Sequence, residues 1–251
     1  MPKTYAVVVN NLNKIYDNKK KKQKIVFENL SVEFEEGKIH CILGTSGCGK
    51  STLLRTIAGL ENYESGEIIF NDKKKSLAMI FQENNIIPWL TVFKNIEFSY
   101  ISHIKHQKIK IDKNVRDEQI NDLLKKYDLL HYKDYYPFEL SGGLKQKVAI
   151  VKTLITNPDI ILLDEAFSAL DFVSKNMIHD LFISSFSKKQ FTSILSTHDI
   201  REAVKLGDYI HLICGNTYLK IKNPLQTPRE SDEKFDEFLK MVIKKYQKGE
   251  E

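Results

Sequence analysis

Nine consecutive residues, Gly44-Thr45-Ser46-Gly47-Cys48-Gly49-Lys50-Ser51-Thr52, have the types and spacing to cradle a chain of phosphates. They fit the pattern G-x-x-x-x-G-K-[ST], in which glycines let successive backbone N–H groups converge on phosphate oxygens. A helix opening at Lys50 would add its N-terminal partial positive charge. Lys50 would reach the β- and γ-phosphates, the Ser51 hydroxyl would ligate Mg²⁺, and Thr52 would donate to the α-phosphate. A second group, Asp164-Glu165, closes the apolar run Ile160 to Leu163. There Asp164 would hold Mg²⁺ through its water shell and Glu165 would orient an attacking water.

These groups need elements that aim them at one place. Ile39 to Leu43 and Ile160 to Leu163 are nearly unbroken apolar runs, the mark of strands covered on both faces. The first feeds the glycine-rich loop and the helix Lys50 to Ala58; the second feeds the two carboxylates. Ser193 to Leu195 reads as a third such strand. Val7 and Val9, and then Leu30, Val32 and Phe34, alternate with polar neighbours as half-buried strands do. Ile68 to Phe70 and Leu77 to Phe81 read as two more. Helical spacing runs from Asp117 through Ile120, Leu123, Leu124 and Tyr127 towards a stop at Pro137. Another helix opens at Ser141, with Leu144, Val148, Val151 and Ile155 on one face. A charged surface helix follows Pro228 through Phe235, Phe238, Leu239 and Val242. Strands alternating with helices predict an α/β domain with a largely parallel sheet. In such sheets ligands bind at the carboxyl ends of the strands.

Leu140-Ser141-Gly142-Gly143-Leu144-Lys145-Gln146 stands between the phosphate loop and Asp164-Glu165. Ser141 and the two glycines open a helix whose free N–H groups and hydroxyl suit an anion. This segment resembles the LSGG signature of the ATP-binding-cassette (ABC) ATPases, and the resemblance covers about Tyr5 to Leu225. It implies a P-loop NTPase fold, with a RecA-like parallel-sheet core, an N-terminal antiparallel β subdomain and an inserted α-helical subdomain. By the same resemblance Gln82 is the glutamine that senses Mg²⁺ and the attacking water. Ser168-Ala169-Leu170-Asp171 is the loop linking the two sites of a dimer, and His198 is the switch histidine that contacts the γ-phosphate. Tyr16 takes the place of the aromatic that stacks on adenine. The departures are Ala166, where the family usually has proline after the glutamate, and Lys145 and Lys147, where arginine is common; the first bears on the rigidity of that turn.

The resemblance also implies that two ATP molecules are sandwiched head to tail, each between one subunit's phosphate loop and the other's signature. The partner is a second copy or a related ATPase subunit. Ile86-Ile87-Pro88-Trp89-Leu90-Thr91-Val92 is apolar for a loop and holds the only tryptophan. It is either a local core or a groove for a short helix of a membrane partner. In the family this region docks a transmembrane permease, and Pro88 to Val92 resembles importers of nitrate, sulfonate and taurine, which also use a solute-binding protein outside the membrane. The alternative is a non-transport ABC ATPase acting on nucleic acid or a macromolecular complex. The interval from Gln82 to Leu140 is too short for the coiled coil or zinc module of such ATPases.

The 251 residues are 42% hydrophobic and 28% charged, the balance of a folded globular chain. No run approaches the roughly 18 apolar residues of a membrane helix. The N-terminus turns polar at Asn10-Asn11, too early for a secretory core. The expectation is therefore a peripheral protein on the cytoplasmic face of the cell membrane. The net charge of +5, with 38 basic against 33 acidic residues, does not by itself argue nucleic-acid binding. Its Lys runs, Lys19 to Lys24 and Lys73 to Lys75, read as solvated loops, with anionic lipid contact as the minority reading. Cys41, Cys48 and Cys214 lack metal-ligand spacing, and His103 and His106 read as solvated. Residues 1–225 are expected to form one ATPase domain with a helical subdomain at about 85–152, followed by a charged C-terminal helix or tail at 226–251.

Overall fold

A computed structural model describes residues 4–16, 23–72, 75–83, 85–168, 170–188, 191–214, 217–229 and 231–248. Lys19 to Lys22, Lys73, Lys74 and Ala169, named above, lie outside these. The strands are β1 (Tyr5–Tyr16), β2 (Lys24–Glu35), β3 (Ile39–Leu43), β4 (Ser65–Phe70), β5 (Leu77–Ile80), β6 (Ile160–Asp164), β7 (Thr192–Thr197), β8 (Tyr209–Cys214) and β9 (Thr217–Lys222). The helices are α1 (Lys50–Ile57), α2 (Val92–His106), α3 (Lys113–Lys126), α4 (Gly142–Leu154), α5 (Phe172–Lys188), α6 (Ile200–Leu206) and α7 (Glu233–Lys248). The chain divides into two compact units. One is made of residues 1–77, 159–165 and 186–251, the other of 78–158 and 166–185.

In the first unit β3, β6 and β7 are buried along their whole length, which is why β3 and β6 read as nearly unbroken apolar runs, while β7 buries Ile194 and Leu195 among small hydroxyl residues. They lie in the order β6-β7-β3-β8-β9. The pairs β6–β7, β7–β3 and β3–β8 are parallel, and β9 closes antiparallel on β8. Register matters most for the site: Leu43 lies opposite Thr197 and Asp164 opposite Ser196. Three strands thus end level, and the residues that follow each, Gly44, Glu165 and His198, emerge at one edge. The helix α1 covers this sheet through buried Leu53, Leu54 and Ile57, and α7 covers α6 with Phe235, Phe238 and Val242.

A separate antiparallel sheet, in the order β2-β1-β4, flanks the phosphate loop through Val26 and Phe27 of β2. Its long strand β1 survives the polar pair Asn10-Asn11 because the ladder there bulges. Asn11 on β1 takes φ 48° and Asn29 on β2 φ 55°, each at a shift in register. The Asn13 amide donates to Asn11 O, Asn29 Oδ1 and Ser65 Oγ, and accepts from Asn29 N–H. Asparagine tolerates the left-handed region, so the bulge is written in these side chains.

The second unit is helical, with α2 packed on α3 and α4. The helix α3 starts four residues before Asp117 and ends well before Pro137. Asp128 turns to φ 54° and Leu129 N–H bonds back to Leu124 O, with Leu129 buried. This six-to-one closure ends a helix without proline. The helix α2 follows the apolar loop, within the stretch expected to be helical; Thr91 caps it by accepting from Lys94 N–H at 3.3 Å. Buried Asn95 organises the preceding loop, accepting from Ile87 N–H and donating to Ile87 O, Leu90 O and Thr91 O. That leaves Trp89 75% exposed. No helix among the described residues is long and apolar enough to cross a membrane.

Candidate functional site

The phosphate loop leaves β3 at Gly44 and enters α1 at Lys50. Gly47 and Gly49 have φ 82° and 104°, values that favour glycine. At Gly49 a Cβ would stand 2.6 Å from Val26 and 2.7–2.8 Å from the Phe27 ring; at Gly44 it would meet Ile213 O at 2.4 Å. The loop is therefore packed tightly from beneath while Thr45 and Ser46 remain exposed, with Cys48 between them and the helix. Tyr16, at the end of β1, brings its hydroxyl to 3.4 Å from Thr52 Oγ1, with Lys14 Nζ 4.6 Å from its ring centre.

Lys50 is buried within this fold of the chain. Its Nζ donates to Gly44 O at 2.9 Å and Thr45 O at 3.0 Å, and stands 3.7 Å from Glu165 Oε1. The other carboxylate oxygen of Glu165 lies 3.5 Å from His198 Nδ1. Glu165 itself adopts φ 45°, a left-handed conformation costing a non-glycine residue about 1 kcal/mol. Such strain persists only where surrounding contacts impose it. Asp164 Oδ1 accepts from Ser51 Oγ at 2.6 Å and Ser196 Oγ at 2.9 Å. Its Oδ2 is fully buried without a hydrogen bond, 3.8 Å from Arg55 Nη2. His198 is held at the end of β7 by the start of α6, where Asp199 accepts from Arg201 and Glu202 N–H groups.

The first unit thus gathers Tyr16, residues 44–52, Asp164, Glu165 and His198. Arg55 and Ser196 join them and were not singled out by sequence. Arg55 follows Ser51 by four residues and so shares its helix face. Ser196 is a hydroxyl at the end of a buried apolar strand, a position that asks for a polar partner.

The remaining named residues belong to the second unit. Gln82 follows β5 and is exposed. Ser141 caps α4, accepting from Leu144 N–H at 3.3 Å, with Gly142 and Gly143 in the first turn. A Cβ on Gly143 would crowd Ser174 Oγ at 3.3 Å. Asp171 opens α5, where hydrogen bonds from the Ser174 hydroxyl and N–H hold its carboxyl below the usual range. Phe172 and Val173 beside it are 80% and 66% exposed.

A family model described as ABC transporter matches residues 27–168. The aliphatic sulfonates import ATP-binding protein SsuB of Bacillus cereus is 35% identical over 97% of both chains. The nitrate import ATP-binding protein NrtD of Synechocystis sp. is 34% identical over 82% of this chain and 76% of its own. Among solved structures, the ATP-binding cassette MJ0796, dimeric, in a post-hydrolysis state and bound to ADP and Pi, aligns at 28% identity and a TM-score of 0.77. That alignment covers 88% of this chain and 100% of MJ0796. The family model spans the phosphate loop, the signature and the carboxylate pair in a single stretch, on a P-loop NTPase fold: the chain belongs to the ABC transporter family and is one of its ATP-binding ATPases.

Proposed function

We propose that this ATPase powers uptake of a small anion of the sulfonate or nitrate type through a separate membrane permease. The observation that carries the reading is likeness to import ATP-binding proteins for sulfonates and nitrate over three quarters or more of each chain. The same reading takes residues 1–225 as the ATPase domain, about 85–152 as its helical subdomain and 226–251 as a charged C-terminal segment. It seats the chain peripherally on the cytoplasmic face, beneath a permease whose solute arrives on an extracytoplasmic binding protein. The loop at Trp89, fixed by the Asn95 amide, is the docking surface for a short permease helix.

Lys50 neutralises the β- and γ-phosphates from within the loop, and Thr45, Ser46, Gly47, Cys48, Gly49 and Thr52 wrap them with backbone N–H groups and hydroxyls. Tyr16 stacks on the base. Glu165 polarises the attacking water, and His198, 3.5 Å from its carboxylate, contacts the γ-phosphate. Mg²⁺ fits the chain's donors: Ser51 and Asp164 supply hard oxygens, and Asp164 Oδ2 is buried with no hydrogen bond of its own. Ser51 and Asp164 would hold the ion, with Gln82 as its sensor. Bound there, Mg²⁺ would offset the negative charge that spreads over the transferring phosphoryl group. The phosphates carry more charge than one loop neutralises, so Ser141, Gly142 and Gly143 of a second copy or relative close the site, with Asp171 linking the pair. ATP then clamps the dimer and hydrolysis releases it. Exposed Phe172 and Val173 beside Asp171 support such a contact.

Glu165→Gln tests the chemistry. It keeps nucleotide binding, slows turnover by at least about a hundredfold, and leaves a dimer that persists with ATP. Turnover near wild type removes Glu165 from its role. Pull-down from detergent-solubilised membranes tests the transport reading, which fails if no permease is recovered.

A further inference from the structure

We propose that Ser196 is a positioning residue for hydrolysis, holding Glu165 in its left-handed conformation and Asp164 in a fixed rotation. The inference rests on the assignment of Glu165 as the group that activates water. Ser196 sits at the end of β7, 1% exposed, directly opposite Asp164 in the parallel ladder. Its Oγ accepts from Glu165 N–H at 3.0 Å and lies 2.9 Å from Asp164 Oδ1.

A serine hydroxyl has one proton. Of its two acceptors, the charged Asp164 Oδ1 at 2.9 Å is nearer than Leu163 O at 3.5 Å, so the proton goes to the carboxylate and the relay runs in one direction: Glu165 N–H to Ser196 Oγ–H to Asp164 Oδ1. Asp164 Oδ1 then takes two hydroxyl donors, Ser196 from β7 and Ser51 from α1, while Oδ2 remains free of hydrogen bonds. One hydroxyl therefore ties both carboxylate residues to the strand that leads into His198.

The turn needs such a tie. Glu165 has φ 45°, the residue after it is Ala166, and no pyrrolidine ring restricts the backbone there. Without the hydroxyl, the Glu165 N–H loses the partner that fixes its peptide plane. The Glu165 carboxylate hangs from that plane, between Lys50 Nζ at 3.7 Å and His198 Nδ1 at 3.5 Å. A displacement of about 1 Å at a reacting group can cost a hundredfold in rate.

The experiment compares steady-state ATPase of wild type, S196A, S196C, S196T, E165Q and S196A/E165Q, with nucleotide affinity and thermal unfolding measured on each. S196A is expected to lower kcat about 10- to 100-fold, with nucleotide affinity changed less than about threefold, because residues 44–52 are untouched. S196C fills the site but is a weak donor, so it falls with S196A even if S196A unfolds; S196T keeps the hydroxyl and recovers most of the loss. In the E165Q background S196A adds no further slowing. A kcat for S196A and S196C within twofold of wild type overturns the inference, as does a loss confined to KM or full additivity in the double variant. If E165Q turns over like wild type, the assignment of Glu165 falls and Ser196 with it. If E165Q is slow and the Ser196 variants are fast, only the role of Ser196 falls.

Discussion

Acid should loosen this protein through two histidines buried far from the nucleotide chemistry. His40 on β3 and His211 on β8 are both fully buried, 2.9 Å apart between Nδ1 and Nε2. His40 Nε2 faces Glu35 O at 2.9 Å, and a carbonyl only accepts. His40 therefore carries its proton on Nε2 and accepts at Nδ1 from His211 Nε2–H. His211 Nδ1 in turn accepts from the Tyr218 hydroxyl at 2.9 Å. With both rings neutral, every ring nitrogen has a partner of the right kind. Around them lie Phe34, Tyr209, whose hydroxyl donates to Glu35 Oε2, and the Lys220 ammonium over the Tyr209 ring. Burial drives the His40 pKa down to about 4; the Glu35 carbonyl opposes it in part, Lys220 adds to the fall, and the Asp208 and Glu35 charges oppose it least. Burial, then His40 and Lys220, also push His211 well below the ordinary histidine range.

Between pH 6.5 and about 4 the unfolded chain takes up a proton at residue 40 that the folded chain refuses, so stability falls as pH falls through this window. From pH 7 to pH 5 that single site costs about 2 kcal/mol, and His211 shifts in the same direction. Urea unfolding at the two pH values reads this directly as a lower midpoint at pH 5. The replacement H40L/H211L, less stable at pH 7, should lose most of the slope. Imidazole nitrogen shifts should report an Nε2–H tautomer for both rings at pH 7. Equal midpoints at pH 7 and pH 5, or an Nδ1–H tautomer at His40, would refute the reasoning.

Two further expectations concern backbone geometry. Gly49→Ala puts a Cβ at φ 104° against the Phe27 ring and Val26, so it should destabilise by about 2 kcal/mol or more and abolish nucleotide binding; unchanged affinity in a fluorescent-nucleotide titration would contradict this. Lys108 occupies the left-handed position that closes α2, at φ 57°, with Lys108 N–H on Lys105 O and Ile109 N–H on Ile104 O. Lys108→Gly should therefore stabilise by up to about 1 kcal/mol, raising Tm by about 2–4 °C without altering ATPase turnover. A lower Tm would show that the lysine side chain matters more than its backbone.

The chain's own order of residues carried much of this protein. Nearly unbroken apolar runs marked β3 and β6 because both faces of a parallel strand are buried, and the phosphate loop and signature are contiguous, so their chemistry is local. Helix α7 was legible from its apolar spacing, since one face alone packs. The loop at Trp89 could not be resolved between core and groove, because its direction depends on the amide of Asn95, six residues beyond Trp89. The end of α3 was set by Asp128 turning left-handed, where proline was the visible stop signal. What only the tertiary structure decided is convergence. Ser196 touches Asp164 and Glu165 across a ladder of parallel strands, Arg55 reaches Asp164 from α1, and His40 meets His211 across 171 positions of sequence. Side chains that meet through sheet register leave no periodic trace along the chain, since the register is chosen by the packing of whole strands rather than by the residues that come to touch.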